Sequence, residues 1–207
     1  MKSRHGSLLL SKHPLVSDQV SIGELQCILS ELERCIANHT GAVVEFGCYV
    51  GTTSLFIKRI LDGHNDSREF HVYDSFIGLP PKSSKDSSPV GDHFVTGELS
   101  SSKKQFLLQF KKANLKPPII HKNWFSDLGT KDIPPKIAFA FLDGDYYQSI
   151  KDSLRLIEDS LSPGSVIVVD DYANEALPGA AKAIDEWVCH KKHRLAVVSS
   201  LAIIKCK

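Results

Sequence analysis

Lys136–Asp145 reads KIAFAFLDGD and Ser165–Asp171 reads SVIVVDD, two apolar runs that each close on acids, Asp143 with Asp145 and Asp170 with Asp171. Read as buried parallel strands, they bring their carboxyl ends to one edge of one sheet, where open α/β sheets hold their ligands. Four carboxylates then share a crevice. Unit charges a few ångström apart repel by several kcal/mol at an effective dielectric of about 20, so the group calls for a cation, a shared proton or strong hydrogen-bond donors. A hard divalent metal is the leading expectation, because oxygen-only ligands suit magnesium, calcium or manganese. The alternative is that these acids are helix caps and turn residues just past the strands.

Outward from these runs, apolar segments of strand length alternate with amphipathic segments of helix length, the pattern of a parallel sheet with crossover helices. Strands are expected at Val43–Phe46, His71–Tyr73, Ile119–His121, Ile137–Leu142 and Val166–Val169. Helical spacing of apolar residues marks the segments near 20–38, 52–61, 101–113, 147–160 and 176–190. At the end of the chain only Ser199 and Ser200 separate Leu195–Val198 from Leu201–Ile204. Two residues close a hairpin but cannot carry a parallel crossover, so the chain is expected to end in an antiparallel strand. The expected fold is a Rossmann-like α/β domain: a mostly parallel seven-stranded sheet with a C-terminal antiparallel hairpin and helices on both faces. A length of 207 residues suits a single domain over 1–207, with an N-terminal helical segment over 1–40. The polar stretch PPKSSKDSSPVGDH, Pro80 to His93, reads as part of a mobile loop over 80–99 that covers the site or serves only as a solvated linker.

The charges nearly cancel, 25 basic against 24 acidic residues, which removes the electrostatic footprint of a nucleic-acid binder. Cys27, Cys35, Cys48, Cys189 and Cys206 are odd in number and lack paired metal spacing, so free thiols in a reducing compartment are expected. The leucines of MKSRHGSLLLSKHP form too short a run for a signal peptide, and no later segment approaches a membrane span. A cytoplasmic protein with a small-molecule partner is the expectation, with neither nucleic acid nor membrane as partner and with a homodimer allowed.

The first strand runs into EFGCYVG, which carries Glu45, Gly47, Tyr49 and Gly51 ahead of a helix beginning near Thr52. The glycines stand four apart, which is not the GxGxxG spacing of a dinucleotide cradle. Gly47 permits close backbone approach, and Gly51 opens a helix whose first turn offers the hydroxyls of Thr52, Thr53 and Ser54. A carboxylate at Glu45 repels phosphate and suits a cationic ligand. The second strand ends in VYDS, where Asp74 is placed to accept both ribose hydroxyls of a nucleoside. A tight strand-to-helix turn alone also explains the glycines.

EFGCYVGTTS, YDSFIGLP, KNWFSDL, FLDGDYYQSIKDSL, LSPGSVIVVDDY and PGAAKAIDEW follow one another in this order between Gly41 and Trp187. Together they resemble the macrocin O-methyltransferase (TylF/MycF) family, metal-dependent enzymes that methylate sugar or phenolic hydroxyls of secondary metabolites. The resemblance implies a class I methyltransferase fold, with its terminal antiparallel hairpin, and S-adenosylmethionine as cofactor. It implies a cofactor site of Glu45, Gly47, Tyr49, Gly51, Thr53, Asp74, Ser75, Gly78, Trp124, Phe125 and Asp143. It also implies that Asp143, Asp170 and Asp171 ligate a divalent metal, magnesium being expected, while a small-molecule hydroxyl is the acceptor. Asp145 is then free to act as general base, with ligand and helix cap before YYQSIKDSL as its alternatives. The chain departs from the family pattern at Asn123, where a glycine precedes the tryptophan, and in a short N-terminal region.

Trp124 and Phe125 either wall the adenine pocket or simply pack. His93, His121 and His190 lack close ligand spacing and read as surface or polar-core residues. Two other classes stay open: an NAD-dependent oxidoreductase, opposed by the glycine spacing and the terminal hairpin, and a non-catalytic binding module of the same fold, opposed by the cost of keeping four crowded acids.

Overall fold

The computed structural model describes residues 4–207, so the first three residues of the expected helical segment lie outside it. Seven strands form one sheet: β1 Ala42–Phe46, β2 Phe70–Asp74, β3 Ile119–Lys122, β4 Ile137–Leu142, β5 Leu161–Val169, β6 Arg194–Val198 and β7 Leu201–Lys205, in the order β3-β2-β1-β4-β5-β7-β6. Strands β1 to β5 pair in parallel, while β7 is antiparallel to both β5 and β6. The hairpin does not simply add to the edge. Its second strand inserts beside β5 because Leu201 to Ile204 are apolar on both faces and buried, whereas β6 is largely exposed.

The helices are α1 Arg4–Lys12, α2 Ile22–Ile36, α3 Thr52–Gly63, α4 Lys103–Lys112, α5 Tyr147–Ile157 and α6 Pro178–Val188. Alternation along the strands divides the core in two. Val43, Phe139, Phe141, Val166 and Val168 face the apolar stripes of α2, α3 and α4, including Leu25, Ile57 and Phe106. Val44, Phe46, Ala140, Leu142, Ile167 and Val169 face α5 and α6 through Ile150, Leu154, Ala180 and Ile184. A capping box between Ser21 and Glu24 starts α2, and one between Ser102 and Gln105 starts α4.

β5 begins earlier than its apolar run. Leu161 pairs with Ile137 ahead of a register shift, and Gly164 (φ +94°) donates its N–H to Cys206 O at 3.0 Å, so a polar lead-in joins the ladder through a bulge. The order places the topological switch between β1 and β4, where a crevice opens at the carboxyl ends of the strands.

Candidate active site

The turns after β1, β2, β3, β4 and β5 converge on that crevice, and its wall includes Gly47, Tyr49, Asp74, Ser75, Gly78, Trp124, Phe125, Asp143, Asp145, Asp170 and Asp171. Glu45, Gly51 and Thr53, also expected in the site, are not on the wall. Glu45 is buried beneath it and accepts a hydrogen bond from Ser54 Oγ. Gly51, at φ +96°, caps α3, and a Cβ there would stand 2.9 Å from the Phe106 ring. Thr53 is buried in the first turn of α3.

Asp74 organises one end of the crevice. Its Oδ2 accepts the N–H groups of Cys48 at 2.8 Å and Tyr49 at 3.2 Å, and its Oδ1 accepts that of Phe76 at 2.6 Å. The acid therefore braces two turns before any ligand arrives. Oδ2 already accepts two bonds, and Oδ1 keeps one acceptor position for a ligand hydroxyl. Gly47 (φ +85°) is needed by the protein itself: a Cβ there would lie 1.8 Å from Asp143 O. The expected close approach of backbone is thus between the turns after β1 and β4.

Asp143, Asp170 and Asp171 each present a carboxylate oxygen, all within 4.8 Å of one another. An oxygen-only trio at this spacing fits a hard divalent cation, whose ligands stand about 2.0–2.6 Å away. Burial raises Asp143 well above the usual carboxylate range, and the charges of Asp170, Asp145 and Asp171 add to the effect. Burial and then Asp171 push Asp170 up to about 7, although its Oδ1 accepts the Asp171 N–H at 2.9 Å. Asp171 is raised by burial and held back by Asn174, which donates to its Oδ1 at 2.7 Å. A cation or a shared proton would relieve such a crowd.

Asp145 faces the same cavity but stands outside the trio. The chain is not extended there, since Asp145 is left-handed at φ +59°. Nor does it cap α5: the cap residue is Tyr146, without a side-chain bond, and the N–H of Tyr147 goes to Asp86 Oδ1 at 2.7 Å. Burial, then Asp171 and Asp170, raise Asp145 well above the usual range. Tyr49 (φ +46°) and Asp171 (φ +60°) share the left-handed conformation. Strain of this kind costs on the order of 1–3 kcal/mol per residue and gathers at functional sites.

Several wall residues carried no signal in the sequence. Gln19 comes from the segment between α1 and α2, Ser149 from α5, and Asn174 and Leu177 from the turn before α6. Pro80, Phe94 and Leu99 come from the 80–99 segment, read from the sequence as a loop over the site or a linker but with no residue of it singled out. That segment is pinned through Asp86 to α5, through Tyr146 Oη to Phe94 O at 3.0 Å, and through Ser88 Oγ to Glu175 O at 2.7 Å. Behind the trio, Ser200 of the hairpin turn donates to Glu24 of α2 and lies 3.5 Å from Asp170 Oδ1. The S-x-x-E box announces a helix start; only the fold brings its glutamate to the acids. Of the histidines, His121 Nε2 sits 3.0 Å from His71 Nδ1 on the outer strands, away from the cavity wall.

The sequence profile of the macrocin-O-methyltransferase (TylF) family matches residues 22–199. The chain is 33% identical over 143 residues to the 8-demethyl-8-(2,3-dimethoxy-alpha-L-rhamnosyl)-tetracenomycin-C 4'-O-methyltransferase of Streptomyces olivaceus, covering 66% of this chain and 54% of that protein. It is 29% identical over 178 residues to the demethyldecarbamoylnovobiocin O-methyltransferase of Streptomyces niveus, covering 81% and 66%. The chain thus spans between half and two thirds of the length of these relatives. Among solved structures, the O-methyltransferase NovP superposes with a TM-score of 0.79 at 23% identity, over 91% of this chain and 81% of that one, a likeness of fold.

Proposed function

The chain belongs to the macrocin-O-methyltransferase (TylF) family, and from that premise we propose that it moves the methyl group of S-adenosylmethionine to a hydroxyl of a small molecule, a sugar or phenolic secondary metabolite, with the help of a divalent cation. The observation that carries the reading is the meeting of the Asp143, Asp170 and Asp171 carboxylates in the cavity that Asp74 and Asp145 also line. The cofactor supplies an electrophilic methyl, and a cation of the magnesium type lowers the pKa of a hydroxyl it ligates.

The chain's own residues do the rest. Asp74 and Ser75 hold the ribose, and the aromatic rings of Trp124 and Phe125 offer the adenine an apolar wall. Asp143, Asp170 and Asp171 would hold the cation, which would supply positive charge beside the acceptor oxygen. Asp145 accepts the proton that the acceptor oxygen loses as its new bond to carbon forms and the sulfonium bond to that carbon breaks. Burial in the cavity favours the protonated form of Asp145, the direction that a proton acceptor needs. Phe94, Leu99 and Leu177 supply apolar surface that keeps bulk water from the reacting groups. Polyhydroxylated and phenolic compounds, offered with S-adenosylmethionine and magnesium, are expected to release S-adenosylhomocysteine. Calorimetry that shows NAD bound and S-adenosylmethionine ignored would contradict the reading.

A further inference from the structure

We propose that His5, Glu33 and His64 form a second metal site, for a borderline divalent cation of the zinc type, which staples the first three helices together. The three side chains come from α1, α2 and the residue that follows α3. His5 Nδ1 lies 3.7 Å and His64 Nε2 3.0 Å from the same oxygen, Glu33 Oε1, and one ligand atom from each residue falls within 4.8 Å of the other two. Ligand atoms about 2.0–2.1 Å from a tetrahedral zinc stand roughly 3.3 Å apart, so small side-chain rotations suffice.

Three further observations point the same way. Glu33 Oε2 is buried with no hydrogen-bond partner among the described residues, an unsatisfied acceptor on the carboxylate that both imidazoles approach. The rings of His5 and His64 lie 5.2 Å apart between centroids, beside a glycine: a Cβ on Gly63 would stand 2.3 Å from His5 Cε1. A hydrogen bond from His64 to Glu33 explains one imidazole but not the seating of the second. The His64 side chain is 43% exposed, which leaves a coordination position open to water.

Two imidazoles and one carboxylate select a different cation from the oxygen-only trio of the cavity. The consequence is mechanical. Helix α1 leads into Ser17, whose hydroxyl is 2.7 Å from that of Thr52, and into Gln19 on the cavity wall. A cation tying α1 to α2 and α3 fixes the approach of this segment. The site does not depend on the methyl-transfer reading.

The test is a zinc titration of the full chain in saturating magnesium, beside His64→Ala and Glu33→Gln. A single zinc equivalent is expected in the wild type and weakening by roughly ten-fold or more in both variants. Zinc should raise the unfolding temperature of the wild type alone. Cobalt(II) in place of zinc should give visible ligand-field bands without thiolate charge transfer, which separates the site from Cys27 and Cys189. Identical zinc isotherms in the three proteins, or a thiolate spectrum lost on cysteine removal, overturn the proposal. Neither outcome bears on S-adenosylhomocysteine release.

Discussion

Asp74 Oδ2 accepts the backbone N–H of Cys48 at 2.8 Å, so the acid that ends β2 fixes the turn that ends β1. The residue proposed to bind ribose is also a brace. Asp74→Ala is expected to weaken S-adenosylmethionine binding by about 1–3 kcal/mol, the scale of hydrogen bonds to a charged group. Calorimetry on the folded variant checks it, and undiminished affinity would remove Asp74 from the cofactor site.

Asp86 is expected to be a stability hot spot in a stretch whose composition reads as loose. Buried at 2% exposure, it accepts the Tyr147 N–H at 2.7 Å, the Ser83 N–H at 2.9 Å and the Ser83 hydroxyl at 2.6 Å. Asp86→Ala should cost about 2–4 kcal/mol in urea unfolding, since it strips several bonds to a charge and leaves a buried N–H unpaired. A cost below about 0.5 kcal/mol, the range of ordinary surface substitutions, would show that the segment is not held there.

Glu45 should give the protein a pH-dependent stability. Burial is the main cause that pushes it up to about 8, against an ordinary value of 4.5, with Asp74 adding to the rise and the Ser54 bond opposing it. The folded state therefore holds a proton that the unfolded state releases between pH 4.5 and about 8. The contribution of Glu45 is fully present below that window and is lost as pH rises through it, by at most roughly 1.4 kcal/mol per pH unit. Glu45→Gln keeps an acceptor for Ser54 and carries no such proton. Urea unfolding across pH 5 to 8 should show a shallower decline in the variant than in the wild type, and parallel curves would refute the assignment.

Asp145→Asn separates the roles open to this residue. As general base, it should keep cofactor and metal affinity while turnover falls by roughly 100-fold or more. A parallel fall in metal affinity would make Asp145 a ligand. Near-normal turnover would take it out of the mechanism.

The strand and helix order was legible because continuous apolar runs such as IAFAFL and VIVV are buried on both faces, and because Ser199 and Ser200 are too few for a crossover. That Asp143, Asp145, Asp170 and Asp171 share one crevice followed from strand ends, whereas the choice of Asp143, Asp170 and Asp171 as a trio came with the family resemblance. What the sequence hid depended on side-chain direction and distant contacts. Glu45 and Gly51 share a motif with Gly47, yet one serves the core and the other a helix cap. Asp145 stands where a cap for α5 is expected, but Asp86, far away in the chain, accepts that N–H. Glu24 carries only the signature of a capping box, and its approach to Asp170 through Ser200 arises because α2 packs on β4 and β5, beside the hairpin turn.

The central claim, methyl transfer that depends on a cation at Asp143, Asp170 and Asp171, is tested most directly by turnover measured against free magnesium. With a competent acceptor and saturating S-adenosylmethionine, S-adenosylhomocysteine release should vanish in excess chelator and return as magnesium is restored, and Asp170→Asn should shift that recovery to higher magnesium. Full release in excess chelator would contradict the account.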